Sequence, residues 1–339
     1  MNIGIVGITG SVGQEMLKCI ESLDIHFNTL KLFASEMSVG KKINFMNKDY
    51  LIESVNASSF NNMDVALFAV ESNLSKQYFE YAKNSNCLVI DNSSAFRMNN
   101  NHPLIIPEIN PELINKNNGL IANPNCSTIL MNVTLWKIYQ KFGIERIVVS
   151  TYQAASGAGI KGLDELENQS KEYCLTKNVS SKNIFGKQYV WNVFSHNSPV
   201  NLENGYNEEE LKMINETRKI FKDDEIKISV TCVRVPVFRA HSESINITLK
   251  NKATEIEIKD ILNHTEGIEI VDNREKNNFP EPINASEKHN IIVGRIRADL
   301  GQEKDKGYEL FISGDQILKG AALNAVQILN IYQKKIFKC

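Results

Sequence analysis

Asn123-Pro124-Asn125-Cys126-Ser127-Thr128 is a turn running into the apolar stretch Ile129 to Trp136, which reads as a helix. A cysteine at a helix start meets free amides and the positive end of the peptide dipole, both of which favour thiolate over thiol. Cys126 is therefore the candidate nucleophile, with Asn125 and nearby backbone N–H groups as donors to an oxyanion. Such a nucleophile needs a proton acceptor and donor, and histidine has the intrinsic pKa for both tasks. His241 follows Arg234-Val235-Pro236-Val237-Phe238-Arg239-Ala240, read as the end of a strand carrying two arginines. The odd spacing puts Arg234 and His241 on opposite sides of a continuous strand, unless Pro236 or a bulge breaks the count. Alone, an inert buried thiol and a satisfied structural histidine are the alternatives; for His241 the clustering with arginine favours chemistry.

Phosphate binding is the second chemistry on offer. Residues 2 to 7 form a short β-branched apolar run, and Gly7-Ile8-Thr9-Gly10-Ser11-Val12-Gly13 leads into Glu15 to Ile20, whose apolar residues recur at helical spacing. Strand, glycine turn and helix in that order let the backbone around Gly7, Thr9, Gly10, Ser11 and Val12 face a pyrophosphate. The spacing G-x-x-G-x-x-G departs from G-x-G-x-x-G, and a tight turn without a ligand is the alternative. Ser35, Ser38 and Lys41 stand after the second strand, where an acidic residue would take the ribose hydroxyls of NAD. Hydroxyls and a lysine there favour a 2′-phosphate and hence NADP, with Glu36 counting against it. Arg97, Glu216, Arg218 and Lys219, taken singly, read as surface charges.

The elements around these residues sort into two units, as 339 residues at roughly 150 per domain suggest. Apolar stretches at Leu30 to Ala34, Val65 to Val70 and Leu88 to Ile90, alternating with helical or polar connections such as Leu74 to Lys83, imply a parallel sheet covered by helices. From Ile147 to Gln153 a new strand opens an α+β unit. Leu163 to Cys174 and Glu208 to Phe221 read as helices, and Val179 to Asn207 as a long irregular connection. Ile226 to Val237 and Ser244 to Leu249 alternate like antiparallel strands, Glu255 to His264 reads as a helix, and Ile291 to Ala298 and Tyr308 to Ser313 as further strands. The small and apolar residues of Gly320 to Leu329 predict a helix that packs on the first unit. The boundaries expected are 1–125 with 315–339 returning to it, and 126–314.

Composition narrows the function classes. Lys+Arg 38 against Asp+Glu 40 leaves a net charge of −2, so no global basic field draws nucleic acid or an anionic membrane. The amino terminus lacks a cationic region and an uninterrupted apolar core, no apolar run reaches the roughly 20 residues of a membrane span, and a cytoplasmic protein is expected. Six cysteines without C-x-x-C spacing read as free thiols, with no metal site.

Taken together these motifs resemble the aspartate-semialdehyde dehydrogenase family along nearly the whole chain. The family's glycine turn is matched by Gly7 to Gly13, its phosphate-contacting arginine by Arg97 after Asp91-Asn92-Ser93-Ser94, and its nucleophile motif by Asn123 to Thr128. Tyr152-Gln153-Ala154-Ala155-Ser156-Gly157-Ala158-Gly159 matches the segment whose glutamine orients substrate and whose Ser156-Gly157 pair contacts cofactor. The resemblance further implies that Glu216 meets the substrate ammonium, Lys219 the phosphate and Arg234 the carboxylate. His241 becomes the acid/base, and Gln316 a late cofactor contact. It also implies a Rossmann-type first domain, a catalytic and dimerisation second domain, a homodimer, and a phosphorylating NADP-dependent oxidation of L-aspartate 4-semialdehyde. Met37 stands where relatives often carry an arginine for the 2′-phosphate, and Val70-Glu71-Ser72 where glycine-containing sequences are usual.

Three other readings compete. N-acetyl-γ-glutamyl-phosphate reductases share the thioester logic but resemble a Pro-Gly-Cys turn, and their masked amine gains nothing from Glu216. Glyceraldehyde-3-phosphate dehydrogenase is a weaker rival. A catalytically silent paralogue acting as a binding subunit is disfavoured by the joint presence of Cys126, Gln153, Arg234 and His241.

Overall fold

The computed structural model describes residues 1–337; Cys339, with the free thiol expected there, lies outside the described residues. The chain forms two compact units, one from Met1–Asn125 with the chain from Ala321 onward, the other from Cys126–Gly320.

In the first unit β1 (Asn2–Val6) is followed by α1 (Ser11–Ser22), β2 (Thr29–Phe33), β3 (Lys42–Phe45), β4 (Lys48–Glu53), β5 (Val65–Phe68), α2 (Ser72–Asn84), β6 (Leu88–Asp91) and β7 (Leu120–Ala122). The sheet order is β3-β4-β2-β1-β5-β6-β7, parallel except where β3 meets β4. This is the parallel sheet the apolar runs predict, in the Rossmann-type arrangement the resemblance implies. Its strand order reverses at β1, where open α/β sheets offer a crevice to ligands. β5 and β6 are buried throughout, as interior parallel strands must be. The β3–β4 hairpin is mostly polar, sits at the sheet edge, and turns on Met46 and Asn47, both with positive φ.

The second unit contains α3 (Cys126–Phe142), β8 (Ile144–Gln153), α4 (Gly159–Thr176), β9 (Phe194–Ser195), α5 (Glu208–Phe221), β10 (Lys227–Arg234), β11 (His241–Leu249), α6 (Glu255–Asn263), β12 (Ile268–Ile270), α7 (Pro282–Ala285), β13 (Ile291–Ala298) and β14 (Gly307–Gly314). Its sheet runs β12-β13-β14-β11-β8-β10-β9. β11 pairs antiparallel with β14 and β8, as expected. The antiparallel expectation for 226–237 needs correction: β10 lies parallel to β8 and antiparallel only to the two-residue β9. Alternation marks a strand with two unlike faces and says nothing of its direction. The parity argument is corrected too, because Arg234 ends β10 while His241 begins β11, with β8 between them and Ala240 at φ 70° in the connection.

α3 and α5 are packed together: Thr217 Oγ1 donates to Asn132 Oδ1 at 3.0 Å, and Trp136 and Tyr139 lie against Phe221. A capping box fixes the start of α5, Asn207 accepting from the Glu210 N–H and Glu210 from that of Asn207. After Gly320 the chain re-enters the first unit as α8 (Leu323–Ile336), which packs on α1 and β6. Asn324 donates to the Ile105 carbonyl and Gln333 to that of His26. Among the described residues no helix is long and apolar enough to cross a membrane, and no His/Cys/Asp/Glu cluster could hold a metal ion.

Candidate active site

Strand ends bring the second unit's candidates together. Gln153 closes β8, Arg234 closes β10 directly opposite it, and His241 opens β11 on the other side of β8. Ala154 ties two of them in place: its N–H donates to His241 Nδ1 at 3.0 Å and its carbonyl accepts from Arg234 Nη1 at 3.1 Å. A Cβ on residue 157 would lie 3.0 Å from Arg234 Nη1 and 3.2 Å from His241 Cε1. Gly157 therefore leaves the room in which these side chains converge.

His241 is fully buried. Because Nδ1 accepts the Ala154 N–H, the ring proton belongs on Nε2, which has no hydrogen-bond partner. Burial, and after it the Arg234 cation, holds the His241 pKa well below that of free histidine. The ring thus presents a neutral N–H donor. Arg234 is itself buried, its Nε donating to Asn197 Oδ1 at 3.3 Å and its guanidinium carbon 5.6 Å from the centre of the Phe185 ring.

Cys126 is the first residue of the 17-residue α3, half-buried, and close enough for its thiolate to influence Arg234. A Cβ on residue 320 would approach the Cys126 Cβ to 2.8 Å, so Gly320 leaves the room that the Cys126 side chain occupies. The other cysteines differ as follows: Cys19, Cys87 and Cys232 are buried, and burial pushes Cys87 up to about 12, whereas Cys174 is exposed rather than inert by burial. Glu216 and Lys219 share α5. Glu216 is buried, and desolvation lowers the Lys219 pKa against the opposing pull of the Glu216 carboxylate. Gln316 and Ser156, both expected at the cofactor, hold each other: Gln316 Nε2 donates to the Ser156 hydroxyl while its Oε1 accepts from the Ala240 N–H at 2.9 Å.

The first unit carries the remaining candidates. Gly7 has φ 89°, and a Cβ there would meet the Ala69 carbonyl oxygen at 2.2 Å; one on Gly13 would meet the Gly7 oxygen at 2.4 Å. The glycines are thus required by backbone approach. Gly10 caps α1 without a side-chain bond and no acidic residue occupies the first turn, so no side chain or negative charge of that turn competes with an anion for the helix start. Ser35 and Ser38 lie beyond β2, around the short turn Glu36–Ser38, where Met37 is exposed. Arg97 is buried, giving Nε to the Asn123 carbonyl at 2.9 Å and Nη2 to that of Asn92 at 2.8 Å. Asn125, also buried, directly precedes the helix of Cys126.

Sequence reasoning missed the contributions of Phe185, Tyr189, His196, Asn197 and Glu209. Four of them belong to the irregular connection, which α4 pins down. Glu165 accepts the N–H groups of Ile184 and Phe185, and Gln169 those of Tyr189 and Val190 while donating to the Ser181 carbonyl. The Tyr189 hydroxyl then donates to the Gln153 carbonyl. Gln169→Leu would strand two buried amides and is expected to lower the unfolding free energy by about 2–4 kcal/mol in urea denaturation; an unchanged midpoint would show that the segment is held by other contacts. For Glu209 a signal existed: Glu209-x-x-Lys212 repeats seven residues later as Glu216-x-x-Lys219, on the same face of one helix.

Comparison with known proteins agrees with this anatomy. Residues 2–117 match a family model described as semialdehyde dehydrogenase, NAD binding domain, and residues 135–319 one described as semialdehyde dehydrogenase, dimerisation domain. The chain is 44% identical to the aspartate-semialdehyde dehydrogenase of Aquifex aeolicus over 336 residues, covering 98% of each, and 42% identical to that of Prochlorococcus marinus, covering 98% of this chain and 95% of the relative. A crystal structure of aspartate semialdehyde dehydrogenase II from Vibrio cholerae, complexed with ASA, superposes with a TM-score of 0.93 at 38% identity, covering 99% of each chain. With both family models and full-length relatives in agreement, the chain belongs to the aspartate-semialdehyde dehydrogenase family, a family of oxidoreductases.

Proposed function

We propose that the protein interconverts L-aspartate 4-semialdehyde, phosphate and NADP with 4-phospho-L-aspartate and NADPH through a thioester on Cys126. The observation that carries this reading is the convergence of Arg234 and His241 over Gly157, with Cys126 within electrostatic reach of Arg234. Arg234 offers a planar fork to a substrate carboxylate, and the Phe185 ring beneath it keeps that fork in one plane. Cys126 attacks the acyl carbon; the carbon–oxygen bond to phosphate breaks, and phosphate leaves with the electron pair toward Arg97 and Lys219. Asn125 or backbone amides stabilise the oxyanion that precedes its departure. Gln153 orients the acyl group and Glu216 takes the ammonium. The nicotinamide cofactor, when bound, supplies the hydride for the thioester carbon or accepts it in reverse. His241 donates its Nε2 hydrogen bond to the resulting oxyanion; as the carbon–sulfur bond breaks, the oxygen's electron pair closes the aldehyde carbonyl and the Cys126 thiolate leaves, and in reverse the thiolate adds to the carbonyl carbon and the charge returns to the oxygen.

The residues of the first unit fit a dinucleotide. Gly7, Thr9, Gly10, Ser11 and Val12 would hold the pyrophosphate. Ser35 and Ser38 would take the 2′-phosphate that makes NADP the preferred form, and Ser156, Gly157 and Gln316 would face the nicotinamide side. Leu175, Trp191, Val193, Val200 and Leu202 are large apolar residues left exposed on the second unit, as a homodimer interface requires. We place the enzyme in the cytoplasm.

The electrostatics predict a pH signature. Burial, and after it Arg234, depress the His241 pKa in the free enzyme, and a carboxylate bound to Arg234 offsets the second of these and raises it. Since kcat/KM reports the free enzyme and kcat the complex, the limb set by His241 is expected at higher pH in kcat than in kcat/KM. Coincident limbs would remove the carboxylate from Arg234. The reaction itself is tested by following nicotinamide reduction with aspartate semialdehyde or N-acetyl-glutamate semialdehyde, with and without phosphate, using NADP and NAD in turn. Phosphate-dependent turnover of the first substrate with NADP preferred is expected. Turnover of the second alone would move the function to the acetylated substrate, equal use of both cofactors would overturn the preference, and silence on both would make the chain a binding subunit.

A further inference from the structure

We propose that Glu209 is the positioning residue of this site, fixing the amide of Gln153 and the charge balance around Arg234 and His241; this rests on the function proposed above. Glu209 lies in the first turn of α5, is buried, and accepts from Gln153 Nε2 through Oε1 at 3.2 Å while Oε2 meets Lys212 Nζ at 3.2 Å. At the other end of the same amide, Thr151 Oγ1 donates to Gln153 Oε1 at 3.3 Å. An amide has two donors at one end and two lone pairs at the other, so a carboxylate at one end and a hydroxyl donor at the opposite end admit one orientation. The second N–H of Gln153 Nε2 is then the hydrogen offered to substrate; with the amide turned over, a carbonyl oxygen would take its place.

The carboxylate also sets a negative charge against the cations of Arg234 and Lys212. From α5, Glu209 pulls upward on the pKa values of Arg234 on β10, His241 on β11 and His196 next to β9, against the burial that lowers all three; burial and then Arg234 lower that of His196 to about 4. Lys212 faces it from its own helix, and Cys232 lies behind it on β10. Glu209 is therefore the negative charge that offsets Arg234 as seen from His241. Its backbone N–H donates to Ser198 Oγ, and that hydroxyl is 3.1 Å from His196 Nδ1, so the irregular connection and α5 are joined at this residue.

The test uses full-length protein, with wild-type NADP reduction by aspartate semialdehyde and phosphate as reference. Glu209→Ala is expected to lower kcat about 10- to 100-fold, the scale at which misplaced groups act. At a pH above the His241 limb of every variant, where the charge balance no longer sets the rate, the double variant with Gln153→Ala should lose no more than Gln153→Ala alone, because there Glu209 works through that amide. Glu209→Gln, which preserves shape, should move the His241 limb of the kcat/KM profile to lower pH, and Glu209→Asp should move it partly back. Additive losses in the double variant together with an unmoved limb in Glu209→Gln would overturn the assignment while leaving the proposed reaction standing. A wild-type protein that does not turn over the semialdehyde would overturn the reaction first, and the role of Glu209 with it.

Discussion

Cys126→Ala is expected to abolish turnover, by at least about 10⁴-fold, while the protein keeps its melting temperature and its affinity for nicotinamide cofactor. The position explains both halves of this result. Cys126 is half-buried at the first turn of α3, where the side chain contributes little to the core but receives the field of the helix start. Alanine keeps the Cβ packed near Gly320 and removes only the sulfur, so fold and reaction separate cleanly in the assay. A residual rate near wild type would mean that the acyl group passes directly to phosphate or water, and would end the thioester mechanism. Serine at 126 is expected to fail as well, because an alcohol at neutral pH has far less of its anion than a thiol.

Arg234→Lys is expected to raise KM for aspartate semialdehyde so that kcat/KM falls about 100- to 1000-fold, with a smaller loss in kcat. Arg234 holds four things at once: the Ala154 carbonyl, the Asn197 side chain, the Phe185 ring face and, in the proposed complex, a carboxylate. A lysine ammonium is a point charge on a flexible stem and cannot keep that geometry in one plane. Burial adds to the penalty, since an ammonium left without the full set of partners sheds its proton. Steady-state kinetics on the semialdehyde decide the matter; an unchanged KM would take the carboxylate away from residue 234.

Residue patterns disclosed the parts of this molecule that repeat or that backbone geometry compels. Gly7 and Gly13 were readable because no other residue tolerates the approach of Ala69 and Gly7 carbonyls, and β5 and β6 because buried parallel strands are continuously apolar. The β3–β4 hairpin escaped notice: Lys42-Ile43-Asn44 and Lys48-Asp49-Tyr50 at a solvated edge have little apolar periodicity, and its turn lacks glycine. The direction of β10 is a tertiary choice, made by packing and not by its own alternation. Around the site, Cys126 and His241 announced themselves by residue type. Phe185, Asn197 and Glu209 did not, because an aromatic, an amide and a carboxylate acquire meaning only from the side chain they meet, and those meetings span 37 to 56 residues.

The return of α8 to α1 has a consequence for the order in which this protein is made. Met16, Leu17 and Ile20 are buried in α1, which leaves the ribosome before all of Cys126–Gly320, yet α8 that packs on it emerges only after that unit. The second unit can close while the chain is still being extended, whereas the first has to wait with an open apolar surface. A chain that stalls or ends before Leu323 would thus present a finished second unit and a first unit whose sheet is complete but lacks its covering helix, and would be a substrate for chaperones and proteases before it could be an enzyme.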